Sequence, residues 1–446
     1  MTGPAGPGPA GPGPTVPGAG RTVPGAAEPG RRVAFVVGLA SGGTVSHVSA
    51  LADGCRAAGL EVSVLAPAQT LALLPVGMDV RVVRIGDRPR PDRDAVAIVR
   101  LRAGLAASQP DVVHAHGVRA GAFAALAIAS LRGFGWAGPW PRGSEPAGSS
   151  PSGLRLRGLR LSASRLPDSG PRRRARPALA VTVHNAPPDG LSARLVFGLL
   201  ERICARRADL LLCASPDLLE RMRDSGAAAA EQFDVPARPA PAPTTADVAA
   251  TRADLGAVDR PVVLAVARLA PQKGLDVLID AAARWHDRDP RPLTVIAGDG
   301  PLAGDLRVRA REAGADVALL GARDDVPALL AVADVVVVPS RWEARALVIQ
   351  EAMRSGRPIV ATRVGGTPEL TGAGGALLVP PDNAAALADA VMAVLDDASL
   401  AARLSSAARE RSAALPTEQD AVRAALAIYA RLAASRSAKR DAGRAR

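Results

Sequence analysis

The sequence predicts an α/β protein made of two Rossmann-like domains, each with a parallel sheet, that face each other across a cleft. Of the 446 residues, 48% are hydrophobic but only 2% are aromatic, which suits Ala-rich helices that cover Val-rich strands. Short Val-rich runs alternate with amphipathic stretches, and the alternation pauses in a Pro/Ala stretch near residue 240 before it starts again. Such alternation is typical of right-handed βαβ units, and the length suffices for two ordinary domains.

Each short apolar run bounded by turn residues is expected to be a buried strand, and each longer amphipathic run a helix. In the first half we expect strands at 33–37, 61–65, 80–83, 111–114, 178–184 and 210–214, and helices ending at 58, covering 96–108 and 119–131, and starting at 215. In the second half we expect strands at 261–266, 293–297, 317–320, 335–339, 358–362 and 376–379, and helices at 275–285, 302–313, 326–331, 346–355, 387–395 and 420–432.

Composition sets the predicted domain boundaries. Residues 1–30 are rich in Pro, Gly and Ala and are expected to be disordered. The first domain is placed at 31–235, interrupted by a Pro/Gly/Ser- and Arg-rich insertion at 133–177 that is also expected to be disordered. The remaining boundaries are a linker at 236–250, a second domain at 251–416, C-terminal helices that pack back on the first domain at 417–435, and a basic tail at 436–446.

Composition also argues against several classes of protein. The net charge of +12 is partly a bias towards Arg, Ala, Gly and Pro, and nucleic-acid binding would require basic stripes with interleaved aromatic residues. Three scattered cysteines do not make a disulfide framework or a zinc site. The N-terminal residues lack the apolar core of a secretion signal, and no apolar run approaches the length of a membrane span. We therefore expect a soluble cytoplasmic protein.

Lysine is used only twice, at Lys273 and Lys439, against 53 arginines. Lys273 closes a segment that runs from a buried strand through a turn into a helix, five residues after Arg268. A flexible point charge and a planar guanidinium bind phosphate differently, and strand ends that face helix N-termini bind anions. The pair predicts a phosphate site; the alternative is that Lys273 is an ordinary solvated residue before a helix.

Two carboxylates follow the Val-rich strand at 335–339. Glu343 precedes a helix and Glu351 lies about two turns into it, and neither continues the apolar stripe. Both are expected at the carboxyl end of the strand, where ligands bind in open α/β sheets. The alternative is an acid favourable to the helix dipole followed by a solvated glutamate.

Four segments in this order and spacing resemble retaining glycosyltransferase family 4, enzymes of GT-B fold that use nucleotide-sugar donors. The segments are Val266–Gly274, Ile296–Pro301, Pro339–Met353 and Gly356–Glu369, and the resemblance covers residues 32–433. It implies that Arg268 and Lys273 bind the donor diphosphate, that Glu351 accepts hydrogen bonds from the ribose, and that Glu343 contacts the transferred sugar. Gly298 and the backbone N–H groups near Ala346 and Leu347 would complete the donor site.

The first half would supply the acceptor side of the cleft. Its turn Gly42-Gly43 allows close approach of the backbone to a ligand. The family has a similar Gly-Gly followed by His near the diphosphate and acceptor, which implies that Gly42 and Gly43 bind the donor and that His47 lies on the acceptor side. By resemblance His114 is expected to touch the sugar or the diphosphate as part of the catalytic set. His184 and Asn185 are expected on the acceptor side. The family needs no metal, and we expect no metal and no cofactor other than the donor itself.

The expected function is therefore transfer of a sugar, with retention, from a nucleoside diphosphate to an acceptor hydroxyl. Three departures from the family pattern, Ala267, Ala344 and a missing Asn-Gly turn near the linker, leave two alternatives open. One is a sugar-nucleotide epimerase of the same fold, and the other is a non-catalytic protein that binds nucleotide sugars.

The acceptor is not given by the sequence, but the Arg-rich insertion raises one expectation. Leucines alternate with arginines between 154 and 166, and a basic amphipathic segment could rest on an anionic membrane surface at the inner face, near a lipid-linked acceptor. The alternative is a disordered loop whose arginines reflect codon usage.

Overall fold

The computed structural model describes residues 31–40, 42–75, 77–86, 88–131, 176–184 and 190–444. In these residues the first half contains a seven-stranded sheet in the order β3-β2-β1-β4-β5-β6-β7, with every neighbouring pair parallel. Its strands are β1 (Arg32–Val37), β2 (Glu61–Ala66), β3 (Asp79–Val82), β4 (Val112–His116), β5 (Ala178–Val183), β6 (Leu210–Cys213) and β7 (Ala230–Gln232).

The second half contains a six-stranded parallel sheet in the order β10-β9-β8-β11-β12-β13. Its strands are β8 (Val262–Val266), β9 (Leu293–Ala297), β10 (Val317–Gly321), β11 (Val335–Val338), β12 (Ile359–Thr362) and β13 (Leu377–Val379). Both sheets therefore reverse their strand order once, between β1 and β4 in the first and between β8 and β11 in the second. Ligands bind at such points in open α/β sheets.

Helices cover both sheets. They are α1 (Gly43–Ala57), α2 (Ala68–Leu71), α3 (Pro91–Ser108), α4 (Val118–Ser130), α5 (Leu191–Arg207), α6 (Pro216–Asp224), α7 (Thr245–Asp254), α8 (Leu275–Ala283), α9 (Ala303–Glu312), α10 (Val326–Val332), α11 (Leu347–Ser355), α12 (Thr367–Thr371), α13 (Ala384–Asp396), α14 (Ala398–Ala413) and α15 (Glu418–Arg444). No helix of the described residues is long and apolar enough to cross a membrane.

The inner strands of each sheet are buried on both faces, which explains why they are continuous apolar runs. The edge strands β3 and β7 are partly exposed and carry polar residues. In the first half, one face packs under α3 to α6 and the other under α1 and α15. In the second half, two further apolar clusters lie on opposite faces of the sheet. The fold is therefore two parallel-sheet α/β domains, as predicted.

The last helix returns to the first half. Ala425 and Tyr429 of α15 are fully buried in the cluster that also holds the α1 residues Val48 and Leu51. The packing is close, because a Cβ built at Gly54 of α1 would lie 2.4 Å from the Val422 side chain. The C-terminal segment thus covers one face of the first sheet.

Several element predictions differ from the structure. The helices α5 and α14 were not predicted, since α5 exposes leucines on its outer face and α14 is mostly Ala, Ser and Arg, so neither gives a clear apolar stripe. Helix α3 begins at Pro91, five residues before the predicted start, because proline is favoured in the first turn. Helix α7 occupies the end of the predicted linker, and α15 extends through most of the predicted basic tail. The tail at 1–30 and residues 133–175 of the predicted insertion lie outside the described residues.

Candidate nucleotide-sugar site

The turn after β8 brings Lys273 to the end of β11. A 3-10 turn, Pro271–Lys273, ends at Gly274, whose φ is +61°. A Cβ built there would lie 2.1 Å from the carbonyl oxygen of Pro339, so only glycine allows this approach of the two loops. Two hydrogen bonds join the loops further. The Gln272 Nε2 donates to the carbonyl of Trp342 at 2.8 Å, and the backbone carbonyl of Gln272 accepts from the backbone N–H of Arg341 at 2.8 Å.

Lys273 and Glu343 form an ion pair at this junction. The Lys273 Nζ lies 2.6 Å from Glu343 Oε1, and the Ser340 hydroxyl donates to the same oxygen at 2.7 Å. Glu343 is only 6% exposed. Lys273 and Ser340 together hold its buried carboxylate in place. Sequence reasoning predicted both charged residues at the site but missed Ser340 and the pairing itself.

Arg268 lies on the same loop but is exposed, and its guanidinium makes no hydrogen bond or ion pair with a described residue. The segment that carries it is fixed by the next loop of the sheet, since Leu269 donates its backbone N–H to the carbonyl of Asp299 at 2.9 Å. Gly298, with a φ of +145°, packs on this segment; a Cβ there would lie 1.9 Å from the carbonyl oxygen of Ala267. Gly298 thus packs closely against the backbone of the segment that carries Arg268.

Glu351 lies on α11 and is half-buried, with no hydrogen-bond partner in the described part of the chain. Burial raises the pKa of its carboxyl, and the nearby Arg354 opposes the shift. An unpaired, half-buried carboxylate with a perturbed pKa is a common feature of binding sites, where a ligand supplies the missing donors.

The glycine turn of the first half meets the start of α11. Gly42 has a φ of +57°, and a Cβ built at Gly43 would lie 2.6 Å from Leu347 Cδ1. The N-cap residue of α11, Ala346, provides no side-chain cap, so the first N–H groups of this helix depend on other acceptors. The predicted residues of the two halves are therefore brought together at a helix N-terminus, where an anion is favoured.

The strand-end histidines form one buried cluster. His114 is completely buried, with Nδ1 2.6 Å from the Tyr429 hydroxyl and Nε2 2.7 Å from Thr182 Oγ1. Both ring nitrogens are thus used within the protein, and this placement does not support the predicted contact between His114 and a ligand. Its role in the structure is to join β4, β5 and α15.

His116 is the better candidate at this strand end, and sequence reasoning placed it only in the general cleft lining. Its ring centroid lies 4.2 Å from that of His114, and neither of its ring nitrogens has a hydrogen-bond partner, although the side chain is 97% buried. The Nε2 of His47, 5.7 Å away between ring centroids, is also unpaired. Unpaired buried polar groups are costly, which is a reason to expect a ligand or water there.

Burial controls the charge of these histidines. It lowers the pKa of His47 and of His114 to about 3, lowers that of His116 well below its usual range, and lowers that of His184 to about 4. All four imidazoles are therefore neutral at pH 7 and can donate or accept a hydrogen bond without adding charge. Asn185, the other predicted acceptor-side residue, lies outside the described residues.

Several contacts fix the two halves against each other beside the site. Trp342 donates its Nε1 to Asp217 Oδ2 at 2.9 Å, and Arg345, 4% exposed, pairs with Asp234 at 2.5 Å and with Glu369 at 2.8 Å. The sequence analysis did not predict these contacts, because each joins residues that are remote in the chain. Ala344 packs into the apolar cluster of the first half, so this departure from the family pattern is accommodated.

The described residues contain no group of three His, Cys, Asp or Glu side chains arranged to hold a metal ion. The cations of the site are Lys273 and Arg268, and its acids are Glu343 and Glu351. Two parallel sheets that face each other with such a set at their carboxyl ends define the class of GT-B proteins.

Comparison with known proteins agrees with this class. Residues 42–238 match the family described as "Glycosyl transferase 4-like domain", and residues 247–411 match "Glycosyl transferases group 1". The two matches adjoin and include all the described site residues, and the chain belongs to this family of GT-B glycosyltransferases, as the motifs predicted.

Individual relatives share less of the chain. An alpha-D-kanosaminyltransferase of Streptomyces kanamyceticus is 38% identical over 40% of this chain and 48% of its own length. A GDP-mannose-dependent alpha-(1-6)-phosphatidylinositol monomannoside mannosyltransferase of Mycobacterium tuberculosis is 36% identical over 34% of this chain and 43% of its own length. The matches thus span less than half the length of these curated relatives. The crystal structure of HepE from Anabaena with UDP-glucose is 20% identical, covers 91% of this chain and 99% of that one, and superposes with a TM-score of 0.65, which shows the shared fold.

Proposed function

We propose that the protein is a retaining glycosyltransferase that moves a sugar from a nucleoside diphosphate to an acceptor hydroxyl without a metal ion. The observation that carries the proposal is the Lys273–Glu343 pair, at 2.6 Å, at the point where the second sheet reverses its strand order. Arg268, Glu351 and the uncapped start of α11 surround the same loops.

The proposed roles follow from charge and burial. Lys273 and Arg268 bind the diphosphate and stabilise the charge that develops on it as the bond to the sugar breaks. Glu343, whose Oε1 already holds Lys273, presents its other oxygen to a sugar hydroxyl. Glu351 accepts hydrogen bonds from the ribose, which would supply the donors that it lacks in the structure.

In the proposed reaction the bond between C1 of the sugar and the diphosphate oxygen breaks, and C1 bonds to the acceptor oxygen on the same face. The proton of the acceptor hydroxyl passes to the leaving diphosphate. Neutral His116, at the end of β4 in the first half, would donate or accept a hydrogen bond near the sugar without changing the charge of the site. We assign the acceptor to the first half because His116 and the other neutral strand-end histidines lie there.

The relatives support a nucleotide-sugar donor, since one is named as GDP-mannose-dependent and HepE was crystallised with UDP-glucose. The name of the same mannosyltransferase, with its phosphatidylinositol monomannoside, supports a lipid-linked acceptor and a peripheral contact with an anionic membrane. The three cysteines are free and buried, which fits a reducing compartment such as the cytoplasm.

A donor panel tests the proposal. UDP- and GDP-sugars should raise the melting temperature, because a ligand that binds only the folded state stabilises it by mass action. With the donor that shifts it most, product formed on a suitable acceptor should keep the anomeric configuration in an NMR spectrum and should form equally well with EDTA. Donor binding without transfer to any acceptor would instead favour a non-catalytic binding protein, and an altered donor sugar would indicate an epimerase.

The two glutamates should respond differently to substitution. Glu351→Gln should weaken binding of the donor and of the free nucleoside diphosphate alike, because both carry the ribose. Glu343→Gln should weaken binding of the sugar-bearing donor more than that of the free diphosphate. Calorimetry with both ligands measures the difference, and equal losses for both ligands in both variants would contradict the assigned roles.

Glu351→Gln should at the same time stabilise the free protein at neutral pH. The folded pKa of Glu351 is raised above its unfolded value, so the folded state loses stability as pH rises from the unfolded to the folded pKa, and this loss persists above it. Removing the charge removes that loss. The gain in free energy of unfolding over the parent should therefore be present at pH 7 and disappear at a pH below the unfolded pKa, as urea titrations at both pH values would show.

A further inference from the structure

Helix α5 (Leu191–Arg207) exposes an apolar line that no described element covers. Leu191, Leu195 and Leu199 are 78%, 67% and 57% exposed. Their spacing of four residues places them on one face of the helix. The opposite face is held by α4, where the Cys204 thiol donates to the Val118 carbonyl at 3.2 Å. A folded domain rarely leaves three neighbouring leucines in water without a binding role for them.

The same face becomes basic in its last two turns. Arg202 and Arg206 continue the line of the leucines at helical spacing, and both are exposed. The one acid of α5, Glu201, is 2% exposed on another face and is paired with Arg221 at 2.6 and 2.9 Å. The outer face of α5 therefore carries leucines and arginines without an acid.

Two exposed acids of α6 lie beside this face. Glu220 and Asp224 share a surface groove with Arg202, but Arg206 does not line that groove. These acids reduce the positive charge beside Arg202 and leave the leucines and Arg206 without a neighbouring acid on their own face. An apolar face flanked by arginines is complementary to an anionic lipid surface, where leucines enter the headgroup boundary and arginines meet lipid phosphates.

The position of α5 relates this face to the cleft. Strand β5 ends at Val183 on the carboxyl edge of the first sheet, where the site residues lie, and α5 begins eight residues later before running back along the domain. Leu191 is thus at the end of the helix nearest the cleft. The half that carries the helix is the half to which we assign the acceptor.

We propose that the outer face of α5 docks the protein on an anionic bilayer, with Leu191, Leu195 and Leu199 inserted at the interface. This proposal rests on the proposed function for its meaning, because it presents the acceptor side of the cleft to a lipid-linked acceptor. A second copy of the chain or the Arg-rich segment at 132–175 could cover leucines too. Charge disfavours both, since each would bring further arginines against Arg202 and Arg206.

Vesicle co-sedimentation of the full chain tests the proposal. The chain should bind vesicles that contain phosphatidylglycerol and should bind vesicles of phosphatidylcholine alone at least about tenfold less strongly, because the arginines respond to lipid charge. The triple variant Leu191→Ser/Leu195→Ser/Leu199→Ser should bind the anionic vesicles at least about tenfold less than the parent. Arg202→Gln/Arg206→Gln should bind less at low salt and approach the parent at high salt, where charges are screened.

The matched control replaces exposed apolar residues elsewhere. Val258 and Val308 of the second half are 63% and 43% exposed, and Val258→Ser/Val308→Ser should bind vesicles as the parent does. The α5 variants lie outside the donor site, so the donor-induced rise in melting temperature should be unchanged in them. If donors do not raise the melting temperature of the parent, the proposed function is contradicted. The vesicle data alone decide whether the outer face of α5 is the docking face.

Three outcomes would overturn the proposal. One is that the full chain does not bind anionic vesicles at low salt. Another is that the triple variant binds them as well as the parent, which would point to the segment at 132–175. The third is that the parent is a dimer by light scattering and the triple variant a monomer, which would make the face an interface between copies of the chain.

Discussion

Replacing Lys273 by alanine is expected to lower kcat by about 10²–10³, as for removal of one preorganised donor from a transition-state site. The ammonium is held 2.6 Å from Glu343 and so is already positioned before a donor binds. The variant loses that charge where negative charge grows in the reaction. Steady-state kinetics with the donor found in the panel gives kcat and KM, and circular dichroism confirms the fold.

A double variant separates catalysis from stability. Among the described residues, Lys273→Ala leaves the buried Glu343 carboxylate with the Ser340 hydroxyl as its one remaining side-chain partner, and a buried charge without a counter-charge is destabilising. Lys273→Ala/Glu343→Gln should therefore recover melting temperature without recovering kcat. Lys273→Arg keeps the charge but not the point geometry, and it should regain part of the rate.

Arg268 provides an independent check. Its side chain is exposed and has no partner among the described residues, so Arg268→Ala should leave stability within about 0.5 kcal/mol of the parent while lowering kcat. Arg284, an exposed arginine at the end of α8, is the matched control, and Arg284→Ala should change neither quantity. A folded Lys273→Ala protein with parental kcat would refute the assignment of the phosphate site.

The fold could be predicted from the sequence because its strongest determinants are local. Val-rich runs between turn residues gave nearly all the strands, since a strand buried on both faces must be apolar throughout. Helix α5 was missed for a local reason as well, because leucines on its outer face blur the apolar stripe that marks a helix. Where the outer face of an element has its own binding role, periodicity is a poor guide.

The site was predictable only in part. Motif order placed Lys273, Arg268 and Glu343 on loops and Glu351 on a helix at one edge of the sheet, but the ion pair joins residues 70 positions apart. The choice between strand-end histidines was also non-local. His114 and His116 lie two apart and share a face, and His114 is occupied because Tyr429, 315 residues away, reaches its Nδ1. No local pattern carries that information.

Gly298→Ala is expected to be strongly destabilising, lowering the free energy of unfolding by about 2–5 kcal/mol. The new Cβ would lie 1.9 Å from the carbonyl oxygen of Ala267, and the φ of +145° is unfavourable for any L side chain. Backbone cannot rotate away as a side chain does, so the ends of β8 and β9 must separate. Urea titration measures the loss through the midpoint at constant m-value.

The same displacement should weaken donor binding, because the segment that moves carries Arg268. Gly304→Ala is the matched control, six residues away in α9, where a Cβ would meet nothing within 4 Å. Since alanine is the better helix former, this control should keep donor affinity and raise stability by up to about 1 kcal/mol. If Gly298→Ala unfolds at the parental urea concentration and binds donor with parental affinity, the close approach of the two strand ends does not hold the site together, and the role assigned to this glycine fails.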